Sequence, residues 1–394
     1  MERFKINPQA DTPINDATLL GHDKVVNNIF KFTTSEDAIT PLSIALHGDW
    51  GSGKTSIMYT LQQKLADEGH QPLFFEAWKH EYTNPALALV ETIALHFERK
   101  GKKELAKEIL DLAVHIVSKK FLDLELREIE GFFRRSHDVA NTMSNQLETI
   151  VEESMGGKKL IVIIDDLDRC DVENTLMVLS MMKLFLDIKN TIFIAAVDFN
   201  RLQHAWQIKY GGLNPEESGR DYLEKIFQVR IGIPIPENSQ IREYVQELII
   251  DMPYDLLAMF GKIGPHNPRG IKRMLNNISY RSLLLNSDHA QISASLWTLL
   301  EDILGNKKTV QFYRMMKENL EGISFFFRMG GDWDKTQKEI HRFTKNVGNT
   351  SDEENRLSQY IPMVVNLLKK LSINHTELEK DFDVLCVNTN ELVR

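Results

Sequence analysis

The sequence predicts an α/β fold: a parallel sheet with helices on both faces, followed by a long helical region. Three observations carry that reading. Short apolar runs alternate with helical periodicity between residues 42 and 233. Those runs are apolar almost throughout, as strands covered on both faces must be. After Pro234-Ile235-Pro236 only helical spacing recurs.

Taken in order, residues 1–18 are polar with Pro, Asp and Asn, and are expected to form an extended arm or mobile terminus. A helix is expected from Asp23 to Phe32, with Val25, Val26, Ile29 and Phe30 on its apolar side. Leu42–Leu46 reads as the first strand, followed by a glycine loop and a helix from about Thr55 to Asp67. Leu73–Phe75, Leu160–Ile164, Thr191–Val197 and Phe227–Ile233 read as the second to fifth strands. More than 80 residues separate the second and third strands, far beyond an ordinary crossover. Within them Leu105, Ile109, Leu112 and Ile116 recur at helical spacing, which predicts a helical insert at about 98–157. That insert is either a solvated hairpin resting on the sheet or a surface that faces a partner. Helices are expected at 239–251, 253–263, 269–285, 293–304 and near Asn355–Leu371, and loops at Gly330–Gly331 and 346–355.

Composition excludes several classes. With 47 Lys+Arg against 56 Asp+Glu the 394 residues carry a formal charge of −9, which argues against a surface that binds nucleic acid throughout. The longest unbroken apolar run is about six residues, Ile192–Val197, against the ~18 needed for a bilayer, so no membrane span is expected. Residues 1–13 contain no apolar segment of the kind that marks a secretory leader. Cys170 and Cys386 supply neither a disulfide framework nor a four-cysteine zinc site, and a cytoplasmic location is expected. No HExxH, CxxC or EF-hand pattern is present, and no internal repeat at periods of about 20–50 residues.

The strongest signal is Gly48-Asp49-Trp50-Gly51-Ser52-Gly53-Lys54-Thr55, which matches G-x-x-x-x-G-K-[ST] in full. Glycines let successive backbone N–H groups turn toward an anionic phosphate. Lys54 is placed to bridge the β- and γ-phosphates, and Thr55 to offer a hydroxyl to Mg²⁺. The following helix points its positive end at the ligand. The loop lies between an apolar strand and a helix, which is the context the motif requires. This predicts a P-loop NTPase fold with ATP and Mg²⁺ as cofactors, and residues Gly48 to Ser56 as the phosphate cradle.

The third strand ends as Ile164-Asp165-Asp166-Leu167-Asp168-Arg169. An acid at the C-terminal end of a parallel strand lies where open α/β sheets bind ligands. Asp165 is therefore expected to hold Mg²⁺, and Asp166 to orient or deprotonate an attacking water. The competing reading is a cluster of helix caps. Asp168 and Arg169 are expected to pair with each other, or else to reach the γ-phosphate. No Asn-Lys-x-Asp segment that would read guanine is present, which favours adenine.

Together these residues resemble the KAP family of P-loop NTPases within the STAND/AAA-like group. The resemblance rests on the phosphate loop with its Trp50, on Phe74-Phe75-Glu76-Ala77-Trp78-Lys79, and on Asp165-Asp166-Leu167-Asp168-Arg169-Cys170. Ala196-Val197-Asp198, Tyr222–Phe227 with Ile233-Pro234, and Asn267-Pro268-Arg269-Gly270-Ile271-Lys272-Arg273 extend it, so that it covers about residues 15–285. With the residue pattern above it gives the expected organisation: an arm at 1–18, a P-loop NTPase domain at 19–236, a helical lid at 237–290, which the resemblance implies, and a helical C-terminal region at 291–394. It also implies that Arg269, or less directly Arg273, senses the γ-phosphate, with pairing on the helix surface as the alternative. Asp198 or Asn200 is a candidate for polarising the attacking water. Arg220 is a candidate arginine finger supplied in trans within a homo-oligomer, or else an exposed salt-bridge residue. Leu20-Gly21-His22 is a candidate for lining the adenine, and Trp78 is expected in the core.

Many KAP proteins carry transmembrane helices between the phosphate loop and the acidic strand. Here the insert is polar, with Arg99, Lys100, Lys102, Lys103, Arg134 and Arg135, so membrane anchoring is not carried over. The resemblance implies an ATP-hydrolysing switch with an unidentified protein partner, in bacteria often linked to defence against phage or plasmids. A nucleotide-dependent scaffold and a nucleic-acid-stimulated ATPase are the alternatives, the latter resting on Lys262, Arg269, Lys272, Arg273 and Arg281 as a modest positive face.

Overall fold

The structure is a computed structural model. It describes residues 4–14, 17–35, 38–99, most of 101–110, 159–185, 188–210, 215–319, 338, 341–342, 351–373 and 375–393. Most of the expected insert and the Gly330–Gly331 loop lie outside the described residues. Two compact units are present. One comprises residues 13–18 and 22–234, the other residues 1–12, 19–21 and 235–394.

The first unit is built on five parallel strands: β1 (Leu42–His47), β2 (Leu73–Glu76), β3 (Leu160–Asp165), β4 (Thr191–Val197) and β5 (Val229–Gly232). Their order is β2-β3-β4-β1-β5. The three inner strands read LSIALH, LIVIID and TIFIAAV and are buried along almost their whole length, because helices cover both faces. Alternation along each strand sorts side chains to the two faces. Ile44, Leu46, Ile161, Ile163, Ile192 and Ile194 pack with Val25 and Ile29 of α1 (His22–Thr34) and Ile57, Met58 and Leu61 of α2 (Lys54–Asp67). Val162, Ile164, Phe193, Ala195 and Val197 face the other way, onto Leu89 and Ile93 of α3 (Pro85–Arg99) and Leu179 and Met182 of α4 (Val172–Phe185). The edge strand β5 shows the half-buried alternation of a strand with one partner. Two further helices, α5 (Phe199–Tyr210) and α6 (Pro215–Ile226), connect β4 to β5. Since all strands run one way, β1, β3 and β4 deliver their C-terminal residues to one edge, and the site forms there.

The second unit is helical: α7 (Asn238–Leu248), α8 (Tyr254–Ile263), α9 (Pro268–Ser282), α10 (Ala290–Leu304), α11 (Asn306–Asn319), α12 (Ser351–Leu371) and α13 (His375–Val393). Residues 237–290 and 291–394, read separately in the sequence, share one core around Trp297, Phe260, Tyr313, Leu275, Leu368 and Phe382. The polar run at 346–355, expected as a loop, is helical from Ser351, where Asp352, Glu353 and Glu354 suit the positive helix start. The described part of the N-terminal segment is packed against this unit: Phe4 and Ile6 are buried in its core. Asn276 then clips it at two points, accepting from Gln9 N at 2.5 Å and donating to Gln9 O at 2.9 Å.

One basic residue counted on the positive face is buried instead. Arg281 is 9% exposed, paired with Glu301, which is 8% exposed and also accepts from Trp297 Nε1 and Thr389 Oγ1. Removing one partner of such a pair strands a charge in low dielectric. Glu301→Gln is therefore expected to cost about 3–5 kcal/mol in urea denaturation. Asp255→Asn, which breaks an exposed pair with Lys370, should cost under about 1 kcal/mol. Equal losses in the two variants would contradict this ranking.

Candidate functional site

The chain leaves β1 through Gly48 and enters α2 at Lys54, and two glycines between them hold left-handed backbone. Gly51 has φ 82° and Gly53 φ 97°. Gly53 is also crowded, since a Cβ there would lie 2.5 Å from His22 Cε1, so conformation and space both require glycine. Ser52 N closes the turn on Asp49 O at 3.1 Å. Lys54, Thr55 and Ser56 form the first turn of α2, whose N–H groups have no acceptors within the helix. The Ser56 hydroxyl is engaged within the chain, accepting from Ile14 N at 3.1 Å.

The Lys54 amine donates to Gly48 O at 2.7 Å and Asp49 O at 3.3 Å, and stands 3.6 Å from Asp168 Oδ2. Asp165 ends β3 and is 1% exposed. The Thr55 side chain lies beside it and favours its charged form. Burial, and then the neighbouring Asp166 charge, push Asp165 up to about 7. Around the loop, three buried polar atoms have no hydrogen-bond partner among the described residues: Asp165 Oδ2, Ser52 Oγ and His22 Nε2. Burial lowers the pKa of His22, a loss partly offset by its backbone hydrogen bond to Ser52.

Asp166 has φ 56°, a left-handed conformation that costs a non-glycine residue on the order of 1–3 kcal/mol. Burial raises its pKa, against the opposing charge of Arg169. The expected Asp168–Arg169 pair is not what forms. The left-handed residue and the short 3-10 turn Leu167–Arg169 after it bring Arg169 Nε to 2.8 Å from Asp166 Oδ1, while Asp168 serves Lys54.

Other expected residues fall less simply. Asp198 follows β4, and its Oδ1 caps α5, accepting from Asn200 N at 3.0 Å and Arg201 N at 3.3 Å. Arg220 is exposed on α6 and forms no ion pair among the described residues. Gly21 and Arg269 belong to the helical unit. Gly21 (φ 77°) packs near Gln240, and Arg269 pairs with Asp11 at 2.8 Å. Lys272 Nζ donates to Ala10 O and Thr12 O. With Arg281 buried, the positive face read from the sequence is largely engaged within the chain.

Trp78 is not a core residue. It lies in the 3-10 turn Ala77–His80 after β2 and is 51% exposed, and Trp50 of the loop is 47% exposed. Glu76 has no role in the sequence reading, yet it ends β2 directly opposite Asp165. Its carboxylate pairs with Lys79 and accepts from Tyr59 Oη at 3.4 Å. The signal that marks Asp165, an acid closing an apolar strand, is present at Glu76 as well.

The donor set suits Mg²⁺ held partly by phosphate. Among the described residues no group of three or more His, Cys, Asp or Glu makes a self-sufficient metal cage. Mg²⁺ ordinarily takes one or two protein oxygens and completes its shell with water and phosphate oxygens. The unpartnered Asp165 Oδ2 and the Thr55 hydroxyl are such oxygens, and both stand at the mouth of an anion cradle.

The KAP family P-loop domain matches residues 22–254, more than half of the sequence, and the chain belongs to this family. It is 23% identical over 286 residues to the phage T7 exclusion protein of Escherichia coli K12, an alignment covering 60% of this chain and 38% of that protein. It is 36% identical over 61 residues to an uncharacterized protein of Methanocaldococcus jannaschii, covering 16% of this chain and 30% of that one. The chain thus spans well under half the length of these curated relatives. Among solved structures it is similar to Cdc6p from Pyrobaculum aerophilum (14% identity, TM-score 0.39, covering 96% of this chain and 89% of that one). It is similar also to the RuvB Holliday junction branch migration motor of Thermotoga maritima (11% identity, TM-score 0.35, covering 88% and 87%). Among the described residues no helix is long and apolar enough to cross a membrane.

Asp165 makes the site's cost to stability measurable. Folded, it keeps its proton to about pH 7, whereas an unfolded aspartate releases it near pH ~4. Between those values the folded state binds more protons, so this group makes stability fall as pH rises, by at most about 1.4 kcal/mol per pH unit. Asp165→Asn removes the charge. Without nucleotide or metal, the variant is expected to melt roughly 5 °C above wild type at about pH 8, the gap closing toward pH ~4. Thermal melts across that range check it, and a variant melting below wild type at the alkaline end would refute it.

Proposed function

We propose that this KAP family chain binds ATP with Mg²⁺ and hydrolyses it, using the cycle as a conformational switch in the cytoplasm. The observation that carries the reading is the buried, unpartnered Oδ2 of Asp165, with Thr55 beside that carboxyl at the foot of the Gly48–Ser56 loop. The loop's N–H groups and the start of α2 hold the phosphates by backbone and dipole. Lys54, now turned onto Gly48 O and Asp49 O, exchanges those carbonyls for phosphate oxygens and neutralises charge there. Thr55 and Asp165 hold Mg²⁺, which when bound draws charge from the phosphate oxygens. Asp166, next along the chain, orients the attacking water and accepts its proton.

Two sensing roles belong to the same proposal. Arg269 would leave Asp11 for the γ-phosphate, and Asp198 would use the oxygen that does not cap α5 to assist the water. Arg220, exposed on α6, would act in trans in a homo-oligomer. Exclusion of phage, in concert with a protein partner, is the biological setting we infer, from the similarity to the T7 exclusion protein.

A second reading has an observation in its favour. Lys54 and Asp166 both have partners inside the chain, Asp168 and Arg169, so these two groups are already satisfied without a ligand. A protein that holds nucleotide in this state without turnover would be a nucleotide-gated scaffold.

Phosphate release from ATP and GTP, with Lys54→Ala and Asp166→Asn beside wild type, separates the two. Hydrolysis of ATP is expected, lost by about 100-fold or more in Asp166→Asn while ATP affinity stays within about 3-fold. Lys54→Ala should weaken both binding and turnover. If Arg220 acts in trans, turnover per chain rises with protein concentration, and Arg220→Ala abolishes that rise. Tight ATP binding without turnover at any concentration would establish the scaffold instead.

A further inference from the structure

The sheet edge carries a row of side chains that the phosphate chemistry above does not use. Trp78 follows β2, Arg169 follows β3, Trp50 follows β1 and Arg201 follows β4. The Arg169 guanidinium lies 5.4 Å from the Trp50 ring centroid and 5.5 Å from that of Trp78. The Arg201 guanidinium lies 4.6 Å from Trp50 and donates through Nη1 to Asp168 O at 3.3 Å. Four strand exits are thereby linked through two indoles and two guanidiniums.

Both indoles are about half exposed, so burial does not explain their placement. What they do is restrain an arginine. A partly exposed arginine resists ordering because its rotamer entropy is large. Cation–π contacts, one from either indole, offset much of that loss. The restrained guanidinium is the ion-pair partner of Asp166 at 2.8 Å. Asp166 needs such a partner, since it sits in left-handed backbone immediately before a short turn, and its side chain does not cap that turn.

We infer that Arg169, clamped between Trp50 and Trp78, is the positioning residue for Asp166, and that Trp50 makes this orientation depend on the conformation of the phosphate loop. The inference rests on the proposed role of Asp166 in hydrolysis. Arg169 touches neither substrate nor water in this scheme; it sets the direction in which Asp166 presents its oxygens. Because Trp50 lies within the loop itself, a displaced loop loosens the clamp, and the acid is held in place only when the loop is formed.

The test is steady-state ATP hydrolysis with ATP affinity measured separately, on wild type, Arg169→Ala, Arg169→Lys, Trp78→Ala, Asp166→Asn and the Asp166→Asn/Arg169→Ala pair. Arg169→Ala is expected to lower kcat about 10- to 100-fold with KM and Kd for ATP within about 3-fold. Arg169→Lys should recover part of the loss, since it restores charge without the planar group. Trp78→Ala should lower kcat about 3- to 10-fold in the same pattern. The double variant should be no slower than Asp166→Asn alone, because Arg169 acts through that carboxylate. Wild-type kcat in Arg169→Ala, a loss confined to KM, or a further loss in the double variant would each overturn the inference. Should Arg169→Ala fail to fold, Arg169→Lys and Trp78→Ala decide it by the same criteria. Those outcomes leave Asp166 catalysis standing. A wild type that hydrolyses nothing overturns the functional reading and this inference with it.

Discussion

The buried Asp165 carboxyl at the end of β3, with Thr55 of the first turn of α2 beside it, is the constraint on which the functional edge of the sheet unit depends. The two residues come from strands that are not neighbours, since β4 lies between β1 and β3. They can meet only beyond the C-terminal edge, where β1 has turned through the glycine loop. β4 carries Ala195 and Ala196 as it approaches that edge, small residues beside the bulkier Ile164 and Leu46. There Asp165 Oδ2 is buried without a partner, a condition rare for a polar atom in a protein interior. A buried carboxylate raised to about 7 is a stability liability. It makes sense in a fold that presents the oxygen to a cation.

The parts of this arrangement that are legible in the sequence share a physical reason. Central parallel strands must be apolar on both faces, so β1, β3 and β4 announce themselves as unbroken runs, and their register follows from parallel pairing. The loop is legible because anion binding by backbone needs glycine at fixed spacing, and Gly51 and Gly53 do occupy left-handed backbone. What is not legible depends on partners remote in sequence or on one dihedral angle. Asp168 and Arg169 are adjacent, and only the left-handed Asp166 turns them toward different partners. Arg281 has the spacing of a surface residue on an amphipathic helix, and its burial is decided by Glu301 on the next helix. Arg269 meets an aspartate 258 residues away. Trp78 reads as core by composition, yet the 3-10 turn after β2 rotates it outward.

The same contrast separates the two units. At the C-terminal edge of its strands the sheet unit carries a positive φ at Asp166, unpartnered oxygens and indoles about half exposed. The helical unit resolves two of its buried acids internally. Glu301 serves Arg281, Trp297 and Thr389, and Asp381 accepts from Ser287 and Ser293 at 2.6 Å each. Buried groups that are fully paired specify a packing, whereas Asp165 Oδ2, short of a partner beside a phosphate loop, is placed to meet a ligand.

That distinction bears on how the nucleotide would act as a switch. Without ligand, Lys54 directs its charge to Asp168 and to two carbonyls of its own loop, and Asp165 is kept partly protonated by burial. Each of these is a substitute for a stronger interaction with phosphate or a divalent cation. On the proposed reading, binding exchanges all of them together, because Lys54 and Thr55 are adjacent at the start of α2 and Asp165 lies beside Thr55. A ligand shifts an equilibrium only by its difference in affinity for two states. Here that difference would come from Asp165, whose buried Oδ2 has no partner, and so the nucleotide would set the conformation of the loop rather than merely occupy it.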